Sequence, residues 1–336
     1  MPLSANPFTG DAFSTVALTS AINLLPNKYG RLQELNLLPA RPVRGRTIVL
    51  ERRNGVLTLL PTMPVGSQGT VGKSGKRGIL PFVIPHIPHE DVILPDEVQG
   101  IRAFGTENGL AALADVMAMK LADTSNKHFI TLEHLRWGAI KGIILDADGS
   151  VLVDLYDSFG IVQKTINFAL NVTTTDVRAK CVELVDYIQE NLLGEVMDGI
   201  TCMVSTEFFD ALTNHAKVIK AWELWNQGEF LRSGQKGFAF GGVTFEKFLG
   251  KATDPSGAVR RFIAAGDGHA FPTGTTQSFA TYFAPADFNE TVNTLGQPLY
   301  AKQEPRKFDR GTDLHTQSNP LPMCHRPEIL VKVTAQ

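Results

Sequence analysis

Apolar side chains recur along 106–123 at the spacing of a helix. Leu110, Leu113, Ala114, Met117 and Leu121 fall at i, i+3, i+4, i+7 and i+11, one face of a 3.6-residue repeat. Thr106 stands where a capping hydroxyl accepts a free N–H. The period returns over 131–141 with Leu132, Leu135 and Ala139, and the segment 124–130 leaves open whether the two pieces are one helix. A second amphipathic helix is predicted over 175–193, with Val177, Cys181, Leu184, Val185 and Ile188 inward. Ser205 is placed to cap a third, aromatic-rich helix over 208–225. A short helix is predicted over 15–25. The rest of the first forty residues, broken by Pro2, Pro7, Pro26 and Pro39, reads as an extended strap with apolar anchors.

Shorter apolar runs bounded by turn residues predict strands. Residues 143–145 and 151–153 form a hairpin about Asp146-Ala147-Asp148-Gly149. Further strands are expected at 164–170, 200–204, 243–248, 261–265, 278–283, 314–322 and 329–333, with loops at 254–257 and 266–276. Helices and strands do not alternate regularly, which indicates an α+β fold rather than a doubly wound sheet. No internal repeat is present.

The stretch 41–99 behaves differently. Two strand-like runs, 47–50 and 56–60, flank Arg53-Asn54-Gly55, a strong hairpin signal because Asn and Gly tolerate positive φ. A glycine-rich basic tip follows over 66–78, then an extended run over 79–84, and Pro85, Pro88 and Pro95 read as barriers to any helix. An isolated two-stranded hairpin is marginal in water. This one is therefore expected to be an arm that packs on another molecule.

Composition sharpens that picture. A chain of 336 residues exceeds the size at which one core keeps growing, so two or more lobes are expected. Hydrophobic content of 43% and a mean hydropathy of −0.02 are those of an ordinary soluble globular protein. The net charge of −2 hides an asymmetry. Arg41, Arg44, Arg46, Arg52, Arg53, Lys73, Lys76 and Arg77 stand against Glu51 alone, so 41–80 carries +7 and the remainder −9. A basic arm on an acidic body is complementary to a copy of itself. The alternative is a solvated basic loop. Cys181, Cys202 and Cys324 are widely spaced and odd in number, fitting neither a disulfide framework nor a metal site. The N-terminus lacks a basic region followed by an apolar run, so no signal peptide is expected, and no stretch approaches the ~20 apolar residues of a membrane helix.

Candidate chemistry is thin. Ser67-Gln68-Gly69-Thr70-Val71-Gly72-Lys73-Ser74 approaches a phosphate-binding loop, but its first position is Ser, and Gly75, Gly78 and Pro81 prevent the helix that such a loop needs behind it. Asp146-Ala147-Asp148-Gly149-Ser150 opens like a calcium loop, yet Val151 and Asp157 occupy the positions that require Gly and Glu. A hairpin turn explains the same residues. His86 and His89 beside Glu90 and Asp91 have no further ligand at metal spacing. Hydrolase signatures are absent. No catalytic, cofactor-binding or metal residue is assigned.

Several passages together resemble one known family. The arm carries Pro42-Val43, Leu57-Thr58-Leu59 and the glycine-rich basic tip. Pro85-His86-Ile87-Pro88 is followed by Asp91-Val92-Ile93 and Val98-Gln99-Gly100-Ile101-Arg102. The helix-to-hairpin run holds Arg136, Gly138-Ala139, Lys141-Gly142, Asp146 and Gly149, with Phe159-Gly160 after it. Gln317-Ser318, Pro320-Leu321-Pro322 and Arg326-Pro327 close the chain. In order and spacing these resemble the major capsid protein E family of tailed bacteriophages, the lambda-like capsid proteins.

The resemblance implies the Hong Kong 97-type fold. Residues 1–42 would be an N-terminal arm, 43–99 an extended E-loop, 100–170 with 295–336 a P-domain containing the long helix, and 171–294 an A-domain. Arg52, Arg53, Lys73, Lys76 and Arg77 would be inter-subunit contacts of the E-loop. Leu110, Leu113, Met117 and Leu121 would form a P-domain core, packed on the sheet that includes 329–333. The implied function is structural. Copies would assemble, as hexamers and pentamers, into an icosahedral head enclosing a DNA genome, made in the bacterial cytoplasm and found in the virion. Scaffold, portal and decoration proteins and nearby packaged DNA would be its partners, with no membrane and no cofactor. Two other classes stand beside it: a cytosolic enzyme with an insertion loop, and a basic-loop nucleic-acid binder.

Overall fold

The computed structural model describes residues 15–24, 30–53, 77–98, 109–225, 237–254 and 256–336. The chain begins as helix α1 (Thr15–Leu24), the one-turn helix α2 (Arg31–Glu34) and the short strand β1 (Ala40–Pro42). The predicted first helix is present, and the strap behind it is partly helical. Strands β2 (Thr47–Arg53) and β3 (Arg77–Val83) then form an antiparallel ribbon, from Thr47 opposite Val83 to Arg53 opposite Arg77. Residues 47–50 thus pair with the run that follows the glycine-rich tip. That register sets Ile48 opposite Phe82 and Leu50 opposite Leu80, lining one face for burial. The Asn54-Gly55 turn, the 56–60 run and the basic tip lie outside the described residues. After β4 (Ile87–Ile93) comes α3 (Pro95–Val98). Pro95 opens a helix instead of blocking one, because a first-turn N–H has no intrahelical partner to lose.

Helix α4 (Gly109–Lys141) runs unbroken through the polar segment that left its continuity open. Gly142 ends it at φ +80°, where any side chain would collide with the Tyr156 ring. The predicted hairpin follows as β5 (Ile143–Leu145) and β6 (Val151–Asp154), then α5 (Leu155–Phe159) and β7 (Lys164–Asn167). In α6 (Val177–Asn191) the buried residues are Val177, Cys181, Leu184 and Ile188, while Val185 is half-buried. Asp176 caps it, accepting the Ala179 N–H at 3.1 Å. After β8 (Gly199–Val204), Ser205 caps α7 (Thr206–Thr213), and α8 (Ala216–Trp225) is separate. The single helix expected over 208–225 breaks because buried His215 caps the second piece. Its Nδ1 accepts the Lys217 N–H at 3.3 Å and its Nε2 donates to the Val172 carbonyl at 3.0 Å.

Strands β9 (Phe238–Phe240), β10 (Val243–Lys247), β11 (Lys251–Thr253) and β12 (Val259–Arg261) come next. The strand expected at 261–265 is displaced toward β12, and the expected loop 266–276 contains β13 (Asp267–Thr273). Then follow β14 (Phe279–Phe283), β15 (Tyr300–Pro305), β16 (Thr312–Ser318), β17 (Pro320–Cys324) and β18 (Val331–Thr334). The run 314–322 is divided at Asn319 between two sheets.

A six-stranded sheet has the order β7-β18-β13-β8-β10-β9, and two three-stranded sheets have the orders β15-β16-β4 and β1-β14-β17. β13 is central, with His269, Ala270, Phe271 and Pro272 all buried. Pro272 is tolerated there because β18 pairs only with Asp267–Ala270, leaving Pro272 bound on one edge alone.

Among the described residues two apolar clusters form the interior. The larger surrounds the six-stranded sheet and takes Leu135, Trp137, Ala139 and Ile140 from the second half of α4. The smaller joins Leu18 and Ile22 of α1, Ile93 of β4, Val116, Met117 and Leu121 of α4, Leu299, Ala301 of β15 and Leu314 of β16. Met117 and Leu121 therefore pack on α1 and the β15-β16-β4 sheet, not on the sheet holding the last strand. The side chains of Leu110 and Leu113 lie outside the described ones. A helix of 33 residues is about 50 Å long. One sheet cannot cover it, so its halves rest on different cores. Between them Thr124, Ser125 and His128 are buried where Thr316, Gln317 and Ser318 of β16 are buried too, a polar seam.

Candidate assembly surface

The β2–β3 ribbon has two unlike faces. On the inner one Ile48 and Phe82 are buried, and Leu50 and Leu80 pack against the larger cluster. The Phe82 ring lies 6.3 Å from Phe159, nearly parallel to it. The Ile84 N–H donates to the Arg46 carbonyl at 2.8 Å and closes the base. The expected arm is thus seated at its root on its own subunit. The outer face is apolar as well: Val49 is 56% exposed, Ile79 66% and Val83 69%, with Pro81 exposed beside them. Alternation alone would have made that face polar. Strand β3, apolar at every position from Ile79 to Val83, carries the readable signal.

The basic residues divide between described and undescribed parts. Arg41 and Arg44 are exposed; Arg46 reaches Asp287 at only 3.7 Å. Arg52 and Arg53 end β2, and Arg77 begins β3 directly opposite Arg53. Lys73 and Lys76 fall outside the described residues.

The strap is anchored on the same body. Arg31 makes a two-pronged bond to Glu246 on β10, Nε to Oε1 at 2.6 Å and Nη2 to Oε2 at 2.9 Å. Those hydrogen bonds hold its guanidinium above the ordinary value. The Leu32 N–H donates to Glu133 Oε1 on α4 at 3.1 Å. Along α1 the Thr19 hydroxyl accepts the Ala301 N–H at 3.2 Å and donates to the Ala301 carbonyl at 3.3 Å, and the Asn23 amide donates to the Leu299 carbonyl at 2.8 Å. None of these strap contacts was anticipated, because each joins residues far apart in the chain.

Other residues weighed for chemistry have structural surroundings. At the calcium-like turn the Gly149 N–H donates to the Asp146 carbonyl at 3.0 Å, and Ser150 bonds Asp148 Oδ1 through both its N–H and its hydroxyl. His86 pairs with Asn319 and His89 with Lys127. The three cysteines are free and buried, and burial pushes the Cys181 thiol up to about 12. Among the described residues no three His, Cys, Asp or Glu side chains converge on a metal position, and no helix is long and apolar enough to cross a membrane.

With this geometry in view, comparison with known proteins is direct. The family model for phage major capsid protein E matches residues 14–335. The major capsid protein of Salmonella phage Felix O1 is 31% identical, the match covering 96% of each chain. That of Pseudomonas phage KPP10 is 28% identical over 97% of this chain and 98% of its own. The crystal structure of the putative capsid protein of a prophage of E. coli CFT073 superposes with a TM-score of 0.62 at 15% identity, covering 96% of this chain and 99% of that one.

Proposed function

Because the chain belongs to the phage major capsid protein E family, we propose that the outer face of the β2–β3 ribbon is where copies of this subunit grip one another. The protein is a bacteriophage major capsid protein of the Hong Kong 97-type fold, a structural component of the virion shell. The observation behind the proposed contact is the exposed row Val49, Ile79, Pro81 and Val83 on a ribbon whose other face is already docked. Exposed apolar patches of this kind mark interaction surfaces. A closed shell needs each subunit to repeat a contact that returns to its start. Many weak contacts then hold it through effective concentration.

In this reading Arg52, Arg53, Lys73, Lys76 and Arg77 meet the acidic body of a neighbour. What supports it is the charge balance, +7 over 41–80 against −9 over the remainder. The arm (1–42), E-loop (43–99), P-domain (100–170 with 295–336) and A-domain (171–294) remain our division. Its P/A boundary then runs inside the six-stranded sheet, between β18 and β13. Hexamers and pentamers, scaffold, portal and decoration partners, nearby packaged DNA and synthesis in the host cytoplasm belong to the same proposal.

Purified protein examined by negative-stain microscopy and native mass spectrometry should give shells, or discrete pentamers and hexamers, with phage assembly factors added where needed. A monomer under every such condition overturns the reading. Reversing Arg52 and Arg53 to Glu should impair assembly and leave the subunit folded, each charge contributing about 0.2–1 kcal/mol at an exposed pair. Tight, salt-dependent DNA binding by isolated subunits would instead favour a nucleic-acid role for the basic loop.

A further inference from the structure

The polar seam beneath α4 gathers histidines from three elements. His128 of α4 is 4% exposed, with Nδ1 2.9 Å from Ser318 Oγ and Nε2 3.2 Å from Thr316 Oγ1. The Thr316 hydroxyl already donates to the His89 carbonyl at 3.1 Å. It can therefore only accept from the ring, so Nε2 carries the proton and Nδ1 accepts from Ser318. The neutral imidazole is fully bonded, and a second proton on Nδ1 would force the Ser318 hydroxyl to turn from donor to acceptor.

The surroundings are hostile to that second proton. His89 of β4 stands edge-on to His128 at 6.4 Å, and Lys127 Nζ lies 3.1 Å from His89 Nε2. The ammonium can only donate, so that His89 nitrogen is an acceptor. His315 of β16 faces Glu90 Oε1 of β4 at 3.4 Å, and Lys302 of β15 stands opposite His315 in the ladder. Asp91 of β4 is engaged by Lys120 of α4. Among the described residues no carboxylate is bonded to His128. The seam is also poorly bonded for its depth: Thr124 Oγ1, Ser125 Oγ and Gln317 Nε2 are buried without a hydrogen-bond partner among the described residues. On either side lie the two apolar clusters, which hold the ends of the helix.

We infer that this seam is an acid-sensitive joint, in which protonation of His128 frees the middle of α4 from β16 while both helix ends stay packed. Burial holds the His128 imidazole down to about 4, and the His89, His315 and Lys127 charges add to the effect. In the open seam it titrates near its ordinary 6.5. The open form then binds more protons wherever the pH lies below about 6.5. The closed seam is fully favoured above that value and loses ground as pH falls toward 4. One such proton raises the opening equilibrium about twentyfold between pH 7 and pH 5.

Hydrogen exchange on the full-length subunit, corrected for intrinsic chemical rates, tests this. Exchange of the 122–130 amides should rise about twentyfold from pH 7 to pH 5, while the 184–188 amides of α6 change little. His128→Gln retains a donor and an acceptor but does not titrate, and should flatten the rise. An equal rise in α6, no rise at 122–130, or an unchanged rise in H128Q overturns the proposal. If H128Q fails to fold, the wild-type contrast between the two helices decides alone.

Discussion

Strand β13 and the β2–β3 ribbon are built from segments of equal length, seven residues each, and both are rich in apolar side chains. β13 is hydrogen-bonded on both edges, by β18 and β8, and its five central residues are buried. Among the described residues β2 and β3 have only each other, and half of their apolar positions face solvent. The difference separates two uses of one driving force. Burial around β13 stabilises the subunit, whereas the outer ribbon face contributes only when something covers it.

The comparison can be broken most severely at β18. Removing 329–336 leaves β7 and β13 with open edges in the central sheet. The loss should exceed the whole stability of the fold, about 5–15 kcal/mol, and yield no soluble, cooperatively unfolding subunit. A truncated chain that stayed folded would make the ribbon and the sheet alike. Next, Phe82→Ala should cost about 3–5 kcal/mol by denaturant unfolding and make the ribbon a preferred site of limited proteolysis.

A smaller effect is expected at Glu195, which ties the loop after β13 to the loop after α6. Its Oε1 accepts the Thr276, Gln277 and Ser278 N–H groups at 2.9, 2.7 and 3.2 Å. Burial opposes its charge, but the bonds from Ser278 and Gln277 and the Arg326 charge outweigh it and hold the carboxyl below its ordinary range. That stabilisation is present above the unfolded value of about 4.5 and is lost as pH falls through the lower, folded value. Glu195→Gln should cost about 1.5–3 kcal/mol at pH 7 and remove this part of the acid-side slope in a pH series of unfolding midpoints. Least disturbing to the subunit is the double change of Val49 and Val83 to Asn. Stability should move by no more than about 0.5 kcal/mol per site. The concentration needed for assembly, read by light scattering, should nevertheless rise about tenfold. Unchanged assembly would show that the outer face is idle.

What could be read in advance followed the reach of each signal. The α6 stripe was legible because Val177, Cys181, Leu184 and Ile188 answer to one local period. The β5–β6 hairpin was legible because Asp146 and Gly149 bend the chain without distant help. β13 was misread because Gly266, Gly268 and Pro272 are loop residues by local preference. The sheet overrides them, since Gly268 is where Val204 and Val333 close in on the backbone. The join of α4 through 124–130 was undecidable from period alone, because Thr124, Ser125 and His128 face other buried polar residues rather than water. The basic contact residues remain a reading of charge and resemblance. The outer apolar face needed the β2–β3 register, which the Asn54-Gly55 signal obscured.

The small helix α1 carries one more consequence. Among the described residues β15 is an edge strand, and Thr19 and Asn23 occupy part of that edge with side-chain atoms that stand in for a neighbouring strand. Wherever such an edge lies open, identical chains can pair along it and zip into fibres. By occupying that edge α1 leaves fewer backbone groups of β15 open to pairing with another strand.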